Sequence, residues 1–345
     1  VSAAAVPPAA IGLVEIPCPL CGGSAHRPVT TIWDATYDIP GTYHIVRCAK
    51  CRHLYLNPRP DRASLMACYP ADYAPHGADD LSQVTGDVAS EPHVCRQKAA
   101  TYRTLDPAAA QPTEGIATDD AATDGTAARD DVMPDQSTRP GLMRRALRRI
   151  PGLRKFLNWL GQESATWLPV PPLPGRSQLL EIGCAHGGFL QTAAEAGWQV
   201  DGIEPSERAA AIARGKGLDV FCGDLQAAKL PNASRQAVVM WMVLEHVPNP
   251  RETVAEIARI LDSGGVFALS VPNAATWERW MFGRYWLGYD APRHLQIFTA
   301  RRLKQLVSEQ GFTNVRVIYQ SGTRYWWGSL AAWGRRRFPS ALWPE

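Results

Sequence analysis

Leu180-Glu181-Ile182-Gly183-Cys184-Ala185-His186-Gly187-Gly188-Phe189 is the stretch that decides the fold. An apolar strand runs directly into a glycine-rich turn and on into a helical stretch, and the missing side chains let backbone amides come close to a ligand. Alone, such a turn is a weak signal. It gains weight from Glu204, which ends the next predicted strand in Gly202-Ile203-Glu204-Pro205-Ser206, where a carboxylate is placed to take both hydroxyls of a ribose. Gly223-Asp224-Leu225 follows the third predicted strand, placed to receive an adenine amino group. The turn lacks the G-x-x-x-x-G-K-[ST] pattern, which excludes a phosphate cradle of that type.

Outward from this turn, short apolar runs alternate with amphipathic ones. Strands are predicted over 178–182, 199–203, 219–222, 237–242, 266–271 and 315–319, and helices over 187–196, 207–216, 251–261 and 300–310. That alternation is the signature of a parallel sheet with crossover helices, so residues 171–320 are expected to form a doubly wound α/β domain.

At this point the sequence resembles a known family. Glu181-Ile182-Gly183, Glu204, Gly223-Asp224, the run from Met240 to Pro250, and Leu261-Asp262-Ser263-Gly264-Gly265 ending in Val271-Pro272-Asn273 look like the successive motifs of class I S-adenosylmethionine (SAM) dependent methyltransferases, which have a Rossmann-like sheet. The resemblance implies that Glu181, Gly183 and Gly187 contact the methionine part of the cofactor, Glu204 the ribose, and Asp224 with Leu225 the adenine. The sequence departs from the pattern at Ala185, where the turn usually has a glycine, and at Gln236, where an acid usually stands before the fourth strand.

Methyl transfer to a hydroxyl needs an in-line approach and a base. His246, at the end of the fourth strand, and His294, in the loop after the fifth, are the candidate catalytic residues, since ligands of open α/β sheets bind at the carboxyl ends of strands. The alternatives are a helix cap for His246 and a loop-orienting hydrogen bond for His294. Glu245-His246 also resembles part of a metal site in ubiquinone-pathway O-methyltransferases, but Met242 stands where the further acid is expected, so no catalytic metal is predicted. Trp277, Trp280, Phe282, Tyr285, Trp286 and Tyr289 crowd the acceptor loop, either to stack on a sugar or aromatic acceptor or to pack a lid.

The N-terminal region, residues 1–75, carries Cys18-x2-Cys21 and Cys48-x2-Cys51. Two such knuckles, joined by a predicted β-hairpin, bring four thiolates to one centre, the pattern of a closed, structural Zn2+ site. A disulfide pair is the competing reading, and the absence of an export signal argues against it. The ribbon, with Leu54-Tyr55-Leu56-Asn57-Pro58-Arg59-Pro60 after it and Tyr289-Asp290-Ala291-Pro292-Arg293-His294-Leu295 further on, is similar to bacterial ribbon-containing methyltransferases, often associated with sugar, polysaccharide or cell-envelope pathways.

Residues 76–142 are acidic and nearly free of large apolar side chains, and are expected to be a disordered linker. A basic amphipathic segment follows at 143–170, and a Trp/Arg-rich tail at 321–345. Together these suit either a peripheral membrane surface or helices packed on the domain. A formal net charge of +3 over 345 residues gives no argument for nucleic acid. No run is apolar enough to span a membrane and no signal peptide is evident, so a cytoplasmic location is the default expectation. The leading expectation is a methyltransferase acting on a small-molecule or glycan hydroxyl. An RNA methyltransferase using the ribbon, and a non-catalytic SAM-binding protein, are the alternatives.

Overall fold

The computed structural model describes residues 11–69, Tyr73, Pro172, 177–319 and 323–337. The predicted linker, the basic segment and the end of the tail lie outside them.

Five parallel strands form the main sheet: β6 (Gln178–Ile182), β7 (Gln199–Glu204), β8 (Asp219–Cys222), β9 (Arg235–Trp241) and β10 (Leu261–Ser270), in the order β10-β9-β6-β7-β8. The chain steps from β6 to β7 and β8 on one side, then crosses back to place β9 against the other edge of β6. The crevice at a doubly wound sheet's ligand site lies where the order reverses, here between β6 and β9.

Alternation along the strands decides which helix packs where. Leu180, Ile182, Val238 and Met240 face a core shared with α4 (Pro250–Ile260) and α6 (Ala300–Glu309). Their neighbours Leu179, Ala237 and Val239 face the opposite core, filled by α2 (Gly188–Glu195) and α3 (Glu207–Gly215). Both faces are covered, which is why these strands read as almost continuous apolar runs. Helix starts are set locally: Ser206 accepts from the Ala209 amide, Thr299 from the Arg302 amide, and Pro250 opens α4.

One predicted strand is corrected. Residues 315–319 form no strand, and Val317, Ile318 and Tyr319 are exposed. Their β-branched and aromatic character favours a pleated, half-buried surface, but that preference is realised only where a neighbouring strand supplies partners. The remaining predicted strands and helices appear within a residue or two of their expected bounds, except that β10 begins five residues earlier, at Leu261, with an irregularity in its pairing before Val266.

The ribbon is a second sheet. The expected hairpin is β2 (His26–Ile32) paired antiparallel with β3 (Tyr43–Cys48), followed by β4 (Leu54–Leu56), while β1 (Leu13–Val14) pairs with β5 (Arg59–Pro60) ahead of the short helix α1 (Arg62–Leu65). Its far edge is completed by β11 (Gln296–Ile297), a strand from the loop that carries His294. A further core unites Ile32, Tyr43, Ile45 and Leu56 of the ribbon with Phe282 of α5 (Trp277–Phe282), Trp286, Tyr289 and Leu295. Trp326 and Leu330 of α7 (Thr323–Arg337) pack against it. The described part of the Trp/Arg-rich tail is therefore a helix docked on the acceptor-loop region.

Candidate functional site

The turn after β6 folds back by leaving the right-handed region repeatedly: Gly183, Ala185 and Gly187 have φ of 73°, 47° and 75°. Ala185 takes the left-handed conformation without being glycine, at a cost of about 1 kcal/mol. Its compensation is at hand, because the Ala185 amide donates to Glu204 Oε2 at 2.9 Å and the Ser206 amide donates to Oε1 at 2.8 Å. Glu204 thus clamps the turn to the end of β7. A Cβ on Gly183 would lie 2.5 Å from Val243 Cγ2, and one on Gly187 would lie 2.2 Å from Leu218 Cδ1. Gly183 lets the segment after β9 close over the turn, while Gly187 serves the packing of helix against sheet.

Glu181 ends up buried close to Glu204, and its Oε2 has no hydrogen-bond partner among the described residues. Burial, reinforced by the Glu204 charge, pushes its carboxyl well above the usual range. Asp224 is exposed at the sheet edge, where its Oδ1 accepts from the Ala227 amide at 2.8 Å. Leu225 turns inward and joins the core beneath. Glu181, Gly183 and Glu204 come together around one turn. Asp224 sits at the end of the neighbouring β8 and Gly187 behind the turn.

His246 and His294, far apart in sequence, have ring centroids 4.6 Å apart. His246 lies in a single 3-10 turn (Leu244–His246) directly after β9, and Asn249 rather than His246 occupies the cap of α4. His246 Nδ1 is 3.1 Å from the Arg293 carbonyl, and His294 Nδ1 is 3.0 Å from the Gly288 carbonyl. A carbonyl oxygen only accepts, so the contact with Gly288 puts the hydrogen of neutral His294 at Nδ1, whereas His246 Nδ1 has both the Arg293 carbonyl and the Tyr69 hydroxyl, 3.0 Å away, within hydrogen-bond reach. Burial, with the neighbouring His294, lowers His246 to about 3. His294 is lowered as well, again through burial. Beside them Glu245 is completely buried with neither carboxylate oxygen hydrogen-bonded among the described residues, and burial pushes it up to about 8.

In the ribbon, Cys18 Sγ is 3.5 Å from Cys51 Sγ, and Cys21 Sγ is 3.5 Å from Cys48 Sγ. A disulfide requires about 2.05 Å, so the four are thiols. They converge as a tetrahedral thiolate set requires, where sulfur atoms about 2.3 Å from a zinc stand somewhat under 4 Å from each other. His26 and His44 are exposed, and His53 is buried against Gln296 Oε1 at 3.0 Å, so none of them joins the cluster.

A family described as a methyltransferase domain matches residues 139–317, just over half of the chain. The chain belongs to this family.

Relatives of the methyltransferase agree in kind. A protein of Mycolicibacterium smegmatis named "Probable S-adenosylmethionine-dependent methyltransferase" is 29% identical over 184 residues, which cover 52% of this chain and 68% of that one. A Mycobacterium tuberculosis protein of the same description is 28% identical over 173 residues, covering 49% and 60%. The ubiquinone biosynthesis O-methyltransferase of Thiobacillus denitrificans is 36% identical over 110 residues, covering 30% of this chain and 47% of its own length. Among solved structures, a SAM-dependent methyltransferase from Archaeoglobus fulgidus aligns with a TM-score of 0.36 at 21% identity, over 51% of this chain and 72% of that one.

Three parts of the methyltransferase site escaped the sequence reading. Tyr69, just after the ribbon, places its hydroxyl 3.0 Å from His246 Nδ1. Arg293 is fully buried between Asp34 of the ribbon, 2.8 Å from each of its two terminal nitrogens, and Asp290, 2.7 Å away. Asp34 in turn accepts from the Thr36, Tyr37 and Ile39 amides. The loop bearing His294 is thereby tied to the ribbon by charge as well as by β11. The one available signal was Asp290-Ala291-Pro292-Arg293-His294, a dense polar run in an aromatic loop, but its ribbon partner lies more than two hundred residues away in sequence.

Proposed function

We propose that this methyltransferase moves the methyl group of SAM to a hydroxyl of a small-molecule, sugar or lipid-linked glycan acceptor, and that the ribbon thiolates of Cys18, Cys21, Cys48 and Cys51 hold a structural zinc ion. The observation that carries the reading is the meeting of two sites at one strand end. The glycine turn clamped by Glu204 lies against Val243, three residues before His246, which supports a reading in which the adenosyl cradle and the histidine pair serve one site.

The residues present fit the cofactor. Glu204 ends β7 beside the turn, where a carboxylate can accept from ribose hydroxyls, the orphaned Glu181 Oε2 needs a polar partner such as the methionine end offers, and the positive-φ turn leaves room for close approach. Asp224 and Leu225 would flank the adenine. Bound SAM supplies a methyl carbon on a positively charged sulfur, open to in-line displacement. His246 and His294 would orient the acceptor hydroxyl and receive its proton, being held neutral at pH 7 by burial. A closed four-thiolate zinc leaves no position for substrate and serves the fold alone.

A lipid-linked acceptor is supported by exposed Trp277, Trp280 and Met281 on α5 and Trp327 on α7, two helices joined by Phe282 and Trp326, with Arg335, Arg336 and Arg337 closing α7. Interfacial aromatics beside arginines suit peripheral contact with an anionic membrane. No described helix is long and apolar enough to cross one.

The test is calorimetric binding of S-adenosylhomocysteine to the full chain, followed by transfer of labelled methyl to a panel of free sugars, sugar nucleotides and lipid-linked glycans with and without anionic liposomes. Binding that weakens about tenfold or more in Glu204→Gln, a loss of charged hydrogen bonds, with label appearing on an acceptor oxygen, is the expected result. No affinity for S-adenosylhomocysteine would end the proposal.

A further inference from the structure

We propose that residues 61–69, where the chain leaves the ribbon, form a roof over the adenosyl crevice, so that bound cofactor lies between the main sheet and a strap supplied by the ribbon. This placement rests on the cofactor reading above and adds to it a wall that the sheet alone does not provide.

Two contacts fix the course of the strap. At one end, the Arg62 guanidinium stands 3.6 Å from the Asp224 carboxylate, just beyond β8. At the other, the Tyr69 hydroxyl stands 3.0 Å from His246 Nδ1, in the 3-10 turn that follows β9. The sheet order β10-β9-β6-β7-β8 puts β6 and β7 between those two points, and three strand spacings amount to about 14 Å. Residues Arg62–Leu65 are α1 and Met66–Cys68 a 3-10 turn, so the backbone from 62 to 69 advances only about 12 Å. Little slack is left for a detour. The strap therefore crosses the carboxyl ends of β6 and β7, from which the glycine turn and Glu204 project.

The strap is held at its ends and has no core of its own. Asp61 caps α1 by accepting from the Ser64 amide at 2.8 Å, while the Asp61 amide donates to the Gly12 carbonyl at 2.9 Å and the Gly12 amide to Ser64 Oγ at 2.9 Å. Gly12 permits this approach, since a Cβ there would lie 2.2 Å from Asp61 Oδ2. Pairing of β1 with β5 ties the same root to the chain just ahead of Cys18. At the far end the Cys68 carbonyl accepts from Arg293 Nη1 at 3.3 Å. Between these anchors α1 buries no side chain, and Met66 is 47% exposed. A four-residue helix is not stable unaided, so the anchors are what keep it across the strand ends. A small-molecule site buries most of its ligand, which the open end of a sheet cannot do without such a cover. The Arg62–Asp224 pair is largely exposed and adds little to the hold.

The experiment is hydrogen–deuterium exchange, read by mass spectrometry, on the full-length protein free and saturated with S-adenosylhomocysteine. Exchange over 61–69 in the free protein follows local opening of the strap, and a ligand held only by the closed form suppresses that opening. We expect exchange over 61–69 to slow about tenfold or more at saturation, with no change over β2 and β3 of the ribbon hairpin. Asp61→Ala, which removes the cap of α1 at the root of the strap, should speed S-adenosylhomocysteine release about fivefold in stopped-flow tryptophan fluorescence. His26→Gln on the exposed ribbon surface should leave release unchanged. Binding of S-adenosylhomocysteine with unaltered exchange over 61–69 overturns the roof and leaves the methyltransferase reading standing. So does slowing spread evenly over the hairpin, or an unchanged release rate in Asp61→Ala. Lack of any binding removes the methyltransferase reading and the roof with it.

Discussion

Replacing Asp34 by Asn tests whether the ribbon and the acceptor loop are one cooperative structure. The substitution keeps the shape of the side chain but exchanges a carboxylate oxygen for an amide nitrogen facing the donors of Arg293. Asp34 and Arg293 are both fully buried, and their two 2.8 Å contacts form a bidentate pair. Removing one partner of a buried ion pair costs about 3–5 kcal/mol, because the other charge stays behind without compensation. Asp290 still holds Arg293, which places the expected loss at the low end, about 3 kcal/mol. Taking a urea m-value of about 3 kcal/mol/M, the midpoint should fall by about 1 M. The assay is urea unfolding followed by tryptophan fluorescence, run in parallel on the double variant Asp34→Asn with Arg293→Met. Arg293→Met removes the stranded guanidinium but leaves the Asp290 carboxylate without it, so the loss in the double variant should fall short of the sum of the two single losses, as expected for residues of one network. A midpoint within about 0.3 M of the parent for Asp34→Asn, equivalent to 1 kcal/mol by the same m-value, would refute the claim that this pair couples the two sheets.

Further outcomes are expected elsewhere in the molecule. Gly187→Ala places a Cβ 2.2 Å from Leu218 Cδ1 in a left-handed conformation, and should cost about 1–3 kcal/mol in thermal unfolding, with Leu218→Ala relieving the steric part. Burial lowers His53 to about 4. The unfolded chain takes up that proton near pH 6.5 and the folded one does not, so the His53 contribution is complete above 6.5 and lost as pH falls toward 4, by up to about 3 kcal/mol. Unfolding of the wild type measured against His53→Gln over that range should show this slope, and parallel curves would contradict it. Cys48→Ser, or prolonged chelation, should lower the zinc content of the protein by one equivalent and loosen the ribbon, read by metal analysis and near-ultraviolet circular dichroism, because binding of a structural metal is itself folding free energy.

Much of this protein is written locally. The run from Leu179 to Ile182, the glycines that follow and the alternation through Ala237–Met240 determine parallel strands with a ligand-facing turn, because period and conformational freedom are properties of neighbouring residues. The two C-x2-C knuckles determine a four-sulfur cluster for the same reason, each turn being closed within a few residues. Residues 315–319 show the limit of such reading, since a strand needs a neighbour to pair with and composition supplies none.

What the tertiary structure alone decided is the company each polar group keeps. His246 and His294 are brought to one point, Glu245 is sealed beside them, and Arg293 finds Asp34 in the ribbon. The edge of the ribbon sheet is likewise completed by a strand from the acceptor loop. Burial and long-range pairing set the protonation and the partners of these side chains, and neither quantity exists until distant segments pack, so no window of sequence contains them.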